Sequence, residues 1–126
     1  MQFREFFEYE QEGGGRPISD WRSSLSVKEQ AHLDSKIEYA ESSEITRSDL
    51  VKDVKGYKGL YEFRTSIQRK KLRILLCKLD DGSVDFVMLV GIVKKTAKLK
   101  SSDLKAAVSR AALVKGNKSR AKHRTW

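Results

Sequence analysis

The sequence predicts a small α+β domain, in which an antiparallel β-sheet packs on an N-terminal helical hairpin and a C-terminal helix follows. Residues 57–93 alternate apolar and polar side chains with a period of two, which is typical of β-strands. Residues 17–42 instead contain the start signals of two helices. A chain of 126 residues is long enough for one hydrophobic core and too short for two.

Residues 3–10 predict a strand that precedes the helices. Its alternating side chains are expected to form an apolar face and a charged face, made respectively of Phe3, Phe7 and Tyr9 and of Arg4, Glu8 and Glu10. The three glycines at 13–15 then interrupt regular structure before the helical hairpin begins.

Two local signals mark the helices of the hairpin. Pro17 suits the first turn of a short helix that runs through Leu25, because proline lacks the N–H group that would have no partner there. Ser26 and Glu29 have the spacing of a capping box, in which each side chain accepts a hydrogen bond from the other residue's backbone. The helix that they open is expected to end near Ser42. Its buried side chains are expected to be Val27, Leu33, Ile37 and Ala40.

Three strands are predicted in the second half of the chain, over residues 57–66, 70–79 and 83–93. The segment 80–83 is a strong hairpin signal, because Gly82 tolerates the positive φ of a tight turn. This order makes the strands an antiparallel meander. The nearly continuous apolar run 84–90 is expected at the centre of the sheet.

A last helix is predicted over about 102–114, after a cap formed by Ser101, Ser102 and Asp103. Its inward side chains are expected to be Leu104, Val108 and either Ala111 or Ala112. These elements define a single domain over residues 1–114. Residues 115–126 are basic and lack periodicity, so we expect a mobile tail there.

The charge of the chain is unevenly distributed. Its formal net charge is +9, made of −5 over residues 1–50 and +14 over residues 51–126. This asymmetry indicates that the second half meets a polyanion, of which nucleic acid is the first candidate. A solvated basic surface without a partner is the alternative.

Several classes of protein are disfavoured. No apolar run is long enough for a membrane span, and the N-terminus lacks the features of a signal peptide, so a cytoplasmic protein is expected. No nucleotide-binding glycine motif is present. Cys77 is the single cysteine, and His32 and His123 lie in different predicted elements, so neither a cysteine-based zinc site nor a two-histidine acid/base pair is expected. We expect no metal and no small-molecule cofactor.

What remains for chemistry is a set of cations within the predicted strands. Arg64, Arg73 and Lys95 each lie in or next to an apolar run. If they project from neighbouring strands, they can surround one phosphate, and arginine donates two parallel hydrogen bonds to phosphate oxygens. The sheet would then be apolar towards the helices and polar on its other face. The alternative is an ordinary solvated sheet face with cross-strand pairs such as Glu62–Arg73.

Four segments carry a pattern known from a protein family, namely Gly59–Arg64, Leu72–Leu76, Leu89–Thr96 and Asp103–Arg110. Together they resemble the RelE/HigB/ParE superfamily of bacterial toxins, and most closely its HigB-like, phage-related branch. The resemblance implies a type II toxin–antitoxin toxin that acts as an mRNA interferase, an endoribonuclease that enters the ribosomal A site and cuts messenger RNA. It also implies a cognate antitoxin as partner.

The resemblance further implies roles for particular residues. Arg73 would contact the scissile phosphate, Lys95 would stabilise the leaving group, and Arg64 would add a further cation. Glu62 would act as a base or hold Arg73. Further RNA contacts would come from Lys58, Lys70, Lys71, Lys94 and Lys98.

This chain also departs from the RelE-like pattern. Leu60 and Glu62 occupy positions where RelE-like members have lysines, and no tyrosine follows Lys95 as a stacking aromatic; Tyr57 or Trp126 are candidates to replace it. Two other functions therefore stay open. One is a ParE-like gyrase inhibitor, and the other is a non-catalytic protein that binds nucleic acid or antitoxin.

Overall fold

The computed structural model describes residues 2–44 and 50–126. These residues contain three α-helices and six strands. In chain order they are β1 (Phe6–Tyr9), α1 (Pro17–Ser23), α2 (Val27–Ser42), β2 (Val51–Asp53), β3 (Tyr61–Ile67), β4 (Lys70–Lys78), β5 (Phe86–Lys94), α3 (Ser101–Gly116) and β6 (Ala121–Lys122). The α+β prediction is confirmed. Within these described residues, no helix combines the length and the hydrophobicity that a membrane span requires.

The strands form one mostly antiparallel sheet in the order β2-β3-β4-β5-β1-β6. The predicted meander is confirmed as β3-β4-β5, and the apolar strand β5 lies inside the sheet. β1 pairs with β5 in parallel, and β6 then pairs with β1. The sequence did not predict β2 or β6, because strands of two or three residues are too short to show a period.

Both faces of the sheet are covered, which corrects the expectation of one apolar and one polar face. The helical hairpin packs on one face around a core that includes Leu33, Ile37, Leu72 and Ile74. On the other face, α3 covers a second apolar cluster, which includes Leu60, Leu75, Cys77, Leu89 and Ala107. Towards the β3–β4 turn, this second face carries the charged residues Arg64, Lys71 and Arg73 instead of apolar ones.

The capping box is confirmed, since Ser26 Oγ accepts from the Glu29 backbone and the Glu29 carboxylate accepts from the Ser26 backbone. The prediction that Val27 is buried is wrong, because this side chain is 84% exposed. The buried residues of α2 follow Leu33 at intervals of four, seven and eight residues, and Val27 falls outside that stripe.

The last helix is slightly longer than predicted, and of its predicted inward side chains Leu104 and Ala111 pack against the second apolar cluster. It begins after Lys100, which makes no side-chain cap, so the predicted Ser-Ser-Asp cap is wrong. Its buried residues are Ala107 and Val114, seven positions apart, whereas Val108 is 44% exposed. The helix packs only a narrow stripe on the sheet, so small residues suffice at the contact.

The N-terminal strand is shorter than predicted and buried on both faces. Glu8 and Arg4, which were expected on the charged face of this strand, are both buried. Ser19 Oγ donates to Glu8 Oε1 at 2.5 Å, and Arg16 Nη1 lies 3.3 Å from Glu8 Oε2. These partners satisfy a carboxylate that would be costly to bury alone.

The basic segment after α3 packs on the domain, where the sequence predicted a mobile tail. β6 pairs with β1, and Arg124 forms an ion pair with the largely buried Glu41. Trp126 packs against the first core and donates a hydrogen bond to Ser19 Oγ at 3.2 Å. This segment is held in place by partners that are distant in the sequence. Its local composition therefore did not predict these contacts.

Candidate nucleic-acid interface

Two pairs of like charges lie on one face of the sheet, at the end where β3 turns into β4. Arg64 on β3 is directly opposite Arg73 on β4, and Lys71 on β4 is directly opposite Lys94 on β5. Alternate residues of a strand point to the same face, so these four residues form one patch, here called the cationic face. Like charges that face each other destabilise a sheet. The cationic face is therefore suited to an anionic ligand that compensates its charge.

Glu62 lies between the two arginines of the cationic face. Its Oε1 is 3.7 Å from Arg64 Nε, and its Oε2 is 3.7 Å from Arg73 Nε. Both distances exceed those of hydrogen bonds, and within the described part of the chain Glu62 Oε2 and Arg73 Nε are buried without a hydrogen-bond partner. Buried polar atoms are usually paired, so this group retains hydrogen-bonding capacity that the protein does not use itself.

Arg73 is the most buried cation of the face, with 4% of its surface exposed. Its Nη1 donates to the carbonyl oxygens of Thr65 and Leu72, each at 2.9 Å. Burial lowers the pKa of the Arg73 guanidinium, Glu62 opposes this shift, and Arg64 adds to it. Because arginine stays protonated in proteins, Arg73 holds a fixed positive charge within the cationic face.

A pocket of about 870 Å³ opens between the tip of the β3–β4 hairpin and the end of β5. Five cations line it, namely Arg69, Lys70, Lys71, Lys94 and Lys95. Lys70 Nζ is 2.9 Å from the Oε2 atom of Glu29, and in the part of the chain that the structure describes the other four cations have no ion pair. This pocket, here called the tip pocket, shares Lys71 and Lys94 with the cationic face.

Glu29 connects the tip pocket to the start of α2. Its pKa is lowered chiefly by the hydrogen bond from the Ser26 backbone N–H and next by Lys70. The carboxylate that completes the capping box is therefore also the counter-ion of one pocket lysine. The position of α2 thus determines one wall of the pocket.

The predicted catalytic residues divide between these two neighbouring places. Glu62, Arg64 and Arg73 lie together as the ion-paired group. Lys95 follows the last residue of β5 and lines the tip pocket instead. Of the predicted RNA-binding lysines, the structure brings three into that pocket, namely Lys70, Lys71 and Lys94.

Lys58 and Lys98 lie apart from this group. Lys58 precedes β3, at the opposite end of that strand from the hairpin tip, and lines a second pocket beside Lys78 and Lys115. Lys98 lies in the connection between β5 and α3, where its carbonyl accepts a hydrogen bond from Thr96 Oγ1 at 2.8 Å. The sequence grouped them by charge alone, and strand direction separates Lys58 from the others.

The two candidate aromatics are also distant from the tip pocket. Tyr57 lies in the turn before β3, at the far end of that strand. Trp126 packs near α1, with the guanidinium groups of Arg22 and Arg124 over its ring. The structure adds two residues that the sequence reasoning missed, Gln68 and Arg69, which form the hairpin turn and line the pocket. The basic run 69–71 between two apolar strands was the available signal.

The other side chains of a reactive type, Cys77 and His32, lie in surroundings that indicate a structural role. Burial raises the pKa of the Cys77 thiol to about 12, which keeps it protonated and unreactive at neutral pH. His32 Nε2 shares a hydrogen bond with Thr65 Oγ1 at 2.9 Å. Among the described residues, no three His, Cys, Asp or Glu side chains are grouped to hold a metal ion.

Comparison with known proteins assigns the chain to a family. Residues 20–112 match the model of the phage-derived protein Gp49-like family (DUF891), which covers most of the chain. The chain therefore belongs to the Gp49-like family, which is part of the RelE/HigB-type toxin superfamily. No curated protein matches the chain. The matched region contains β2 to β5, and so both the cationic face and the tip pocket.

Proposed function

We propose that this protein is the toxin of a type II toxin–antitoxin module, of the HigB-like kind, and that it cuts messenger RNA on the ribosome. Membership of the Gp49-like family is consistent with a toxin. Two pairs of opposed like charges, Arg64–Arg73 and Lys71–Lys94, are the observation that carries the proposal. Such a face binds a phosphate backbone and suits the charge that gathers on a phosphate during cleavage.

The proposed reaction is attack of an RNA 2′-OH on the adjacent phosphate, without a metal. This reaction needs a base for the 2′-OH proton, positive charge at the pentacoordinate phosphate, and an acid or cation at the leaving 5′-oxygen. We assign the positive charge to Arg64 and Arg73 and the leaving group to Lys95. Glu62 is the carboxylate nearest the two arginines, and it serves either as base or as the group that positions Arg73.

The surrounding lysines would hold the substrate by contacts to phosphate. Lys71 and Lys94 continue the cationic face towards the hairpin tip, and Lys70 lines the tip pocket on the side of α2. Contacts of this kind make binding fall as salt rises, because bound phosphates release their counterions. The partners in this proposal are the ribosome with its mRNA, and a cognate antitoxin that neutralises the toxin.

The experiment that tests the proposal is a cell-free translation reaction to which the purified protein is added. The 5′ ends of the mRNA are mapped by primer extension, with and without translation. We expect translation-dependent cuts with the wild type. The rate of cutting should fall about 10²-fold or more with Arg64→Gln, which removes one group that donates hydrogen bonds to the phosphate. Arg64 is a better target than Arg73, because Arg73 also holds two backbone carbonyls.

Lys55→Gln is the matched control, since it removes one exposed cation from the connection between β2 and β3, away from the cationic face. It should cut like the wild type. Intact mRNA with the wild type would contradict the endonuclease. Stalled replication with inhibited DNA supercoiling would then identify the gyrase inhibitor, and salt-dependent RNA binding without cut ends would identify the binding-only protein.

A further inference from the structure

The turn between β3 and β4 contains an unusual glutamine. Ile67 and Lys70 are the last paired residues of the two strands, so the turn consists of Gln68 and Arg69. Gln68 has φ 56°, and it is the one non-glycine residue with positive φ among those that the structure describes. This conformation costs a residue with a Cβ atom about 1–2 kcal/mol, and glycine adopts it freely. A glutamine therefore occupies a position where glycine would fold with less strain.

The tip pocket beside this turn has a wall suited to a flat ring. Ile67 and Val93, half-buried at the ends of their strands, are apolar lining residues. Arg69 lines the same pocket and provides a planar guanidinium, and unpaired RNA bases stack on such planes as they do on aromatic rings. No aromatic side chain is found in the lining that the described residues provide.

The size and charge of the pocket fit a nucleotide rather than a free base. Its volume of about 870 Å³ lies within the range of small-molecule sites. Lys94 and Lys95 line it on the side of β5, and Lys94 also belongs to the cationic face. Ile67 and Val93 pack against the first core, so the pocket and the cationic face lie on opposite sides of the sheet, and an RNA strand would reach both by crossing the end of the sheet at Lys94.

We infer that the tip pocket binds one unpaired base of an RNA strand whose phosphates continue around the end of the sheet onto the cationic face, and that Gln68 reads the edge of this base. The glutamine amide offers both donors and an acceptor, as a base edge does. The inference rests on the proposed function for its ligand, an RNA strand. It assigns to the pocket the sequence preference of the protein.

The test is a binding measurement that does not need cleavage. Four 2′-O-methyl tetranucleotides, each with a single kind of base, and one abasic analogue are titrated against the whole protein by fluorescence anisotropy. Methylation blocks the attacking 2′-OH, so the ligands stay intact. We expect the wild type to bind the best base about fivefold or more tighter than the worst, and the abasic analogue most weakly.

Two substitutions of Gln68 test its role without harming the turn. Gln68→Gly removes the amide and relieves the backbone strain. The difference in affinity between the best and the worst base should then fall below about twofold. Gln68→Glu loses both N–H donors and should change the order of preference. Lys55→Gln should retain the wild-type order. An unchanged order and spread of affinities in Gln68→Gly, or equal wild-type binding of all five ligands, would overturn the inference.

The primer-extension experiment separates this inference from the proposed function. Base-dependent binding that Gln68→Gly abolishes, in a protein that leaves mRNA intact, would support the base pocket and contradict the endonuclease. Translation-dependent cuts by a protein whose tetranucleotide binding ignores the base would support the endonuclease and contradict the pocket.

Discussion

Arg64 and Arg73 lie directly opposite each other on β3 and β4, and Glu62 forms an ion pair with both. The three side chains together carry one net positive charge. Because Glu62 and Arg73 are largely buried, solvent and salt screen their interaction only weakly. Their arrangement stabilises two opposed cations in the absence of a ligand and leaves positive charge for an anion.

Replacement of Glu62 should expose the repulsion between these arginines. We expect Glu62→Gln to lower the free energy of unfolding by about 1–3 kcal/mol, because Arg73 stays buried without its counter-ion. Urea unfolding at pH 7, followed by tryptophan fluorescence, measures this change. The same substitution in an Arg64→Gln background should cost less, since one of the two repelling charges is already gone. An equal cost in both backgrounds would contradict the coupling.

The capping carboxylate Glu29 should make stability depend on pH. Its pKa in the folded protein lies below the ordinary value of 4.5, because the Ser26 N–H and Lys70 favour the ionised form. A carboxyl with a lowered folded pKa stabilises the protein above the unfolded pKa and loses this contribution as pH falls through the folded pKa. We expect wild type to be more stable than Glu29→Gln at pH 7, and the difference to shrink below about pH 4.5. Urea unfolding at several pH values measures it, and a difference that is constant from pH 7 to pH 3 would speak against this role.

Gly91 allows α1 to pack closely on β5. A Cβ atom at this position would lie 2.1 Å from the Trp21 ring, so the ring or the strand must move. We expect Gly91→Ala to lower the free energy of unfolding by about 1–3 kcal/mol. Gly116→Ala is the control, since nothing lies within 4 Å of the added atom. Thermal unfolding of the two variants should separate them clearly, and equal midpoints would show that Trp21 moves at no cost.

The ion pair between Arg124 and Glu41 should anchor the C-terminal segment to the domain. Both side chains are largely buried, and Glu41 also accepts the Phe6 backbone N–H at 2.9 Å. We expect Arg124→Gln to lower the free energy of unfolding by about 1–3 kcal/mol, because it leaves a buried carboxylate with one partner fewer. Lys105→Gln removes an exposed cation of α3 and should have little effect. Equal stability of the two variants would instead favour the mobile tail that the composition predicts.

Local patterns in the sequence determined much of this structure. The capping box of Ser26 and Glu29 needs only residues three apart, and Gly82 needs only the turn in which it lies. The period of two placed Arg64 and Glu62 on one face of β3 and Arg73 and Lys71 on one face of β4, as the register confirms. These features were predictable because neighbours in the chain decide them.

Only the tertiary structure decided which of these elements meet. Glu5 donates its backbone N–H to Asp85, 80 residues further along the chain, where β1 enters the sheet beside β5, and no local pattern encodes that pairing. The same holds for the burial of Arg73, the cover of α3 over the second face, and the place of Gln68 in a pocket with Lys95. Each depends on contacts between distant segments, whose energy exists only once the whole sheet has formed. The sequence by itself therefore determined the elements and their charges, and the assembled sheet decided which charges share a site.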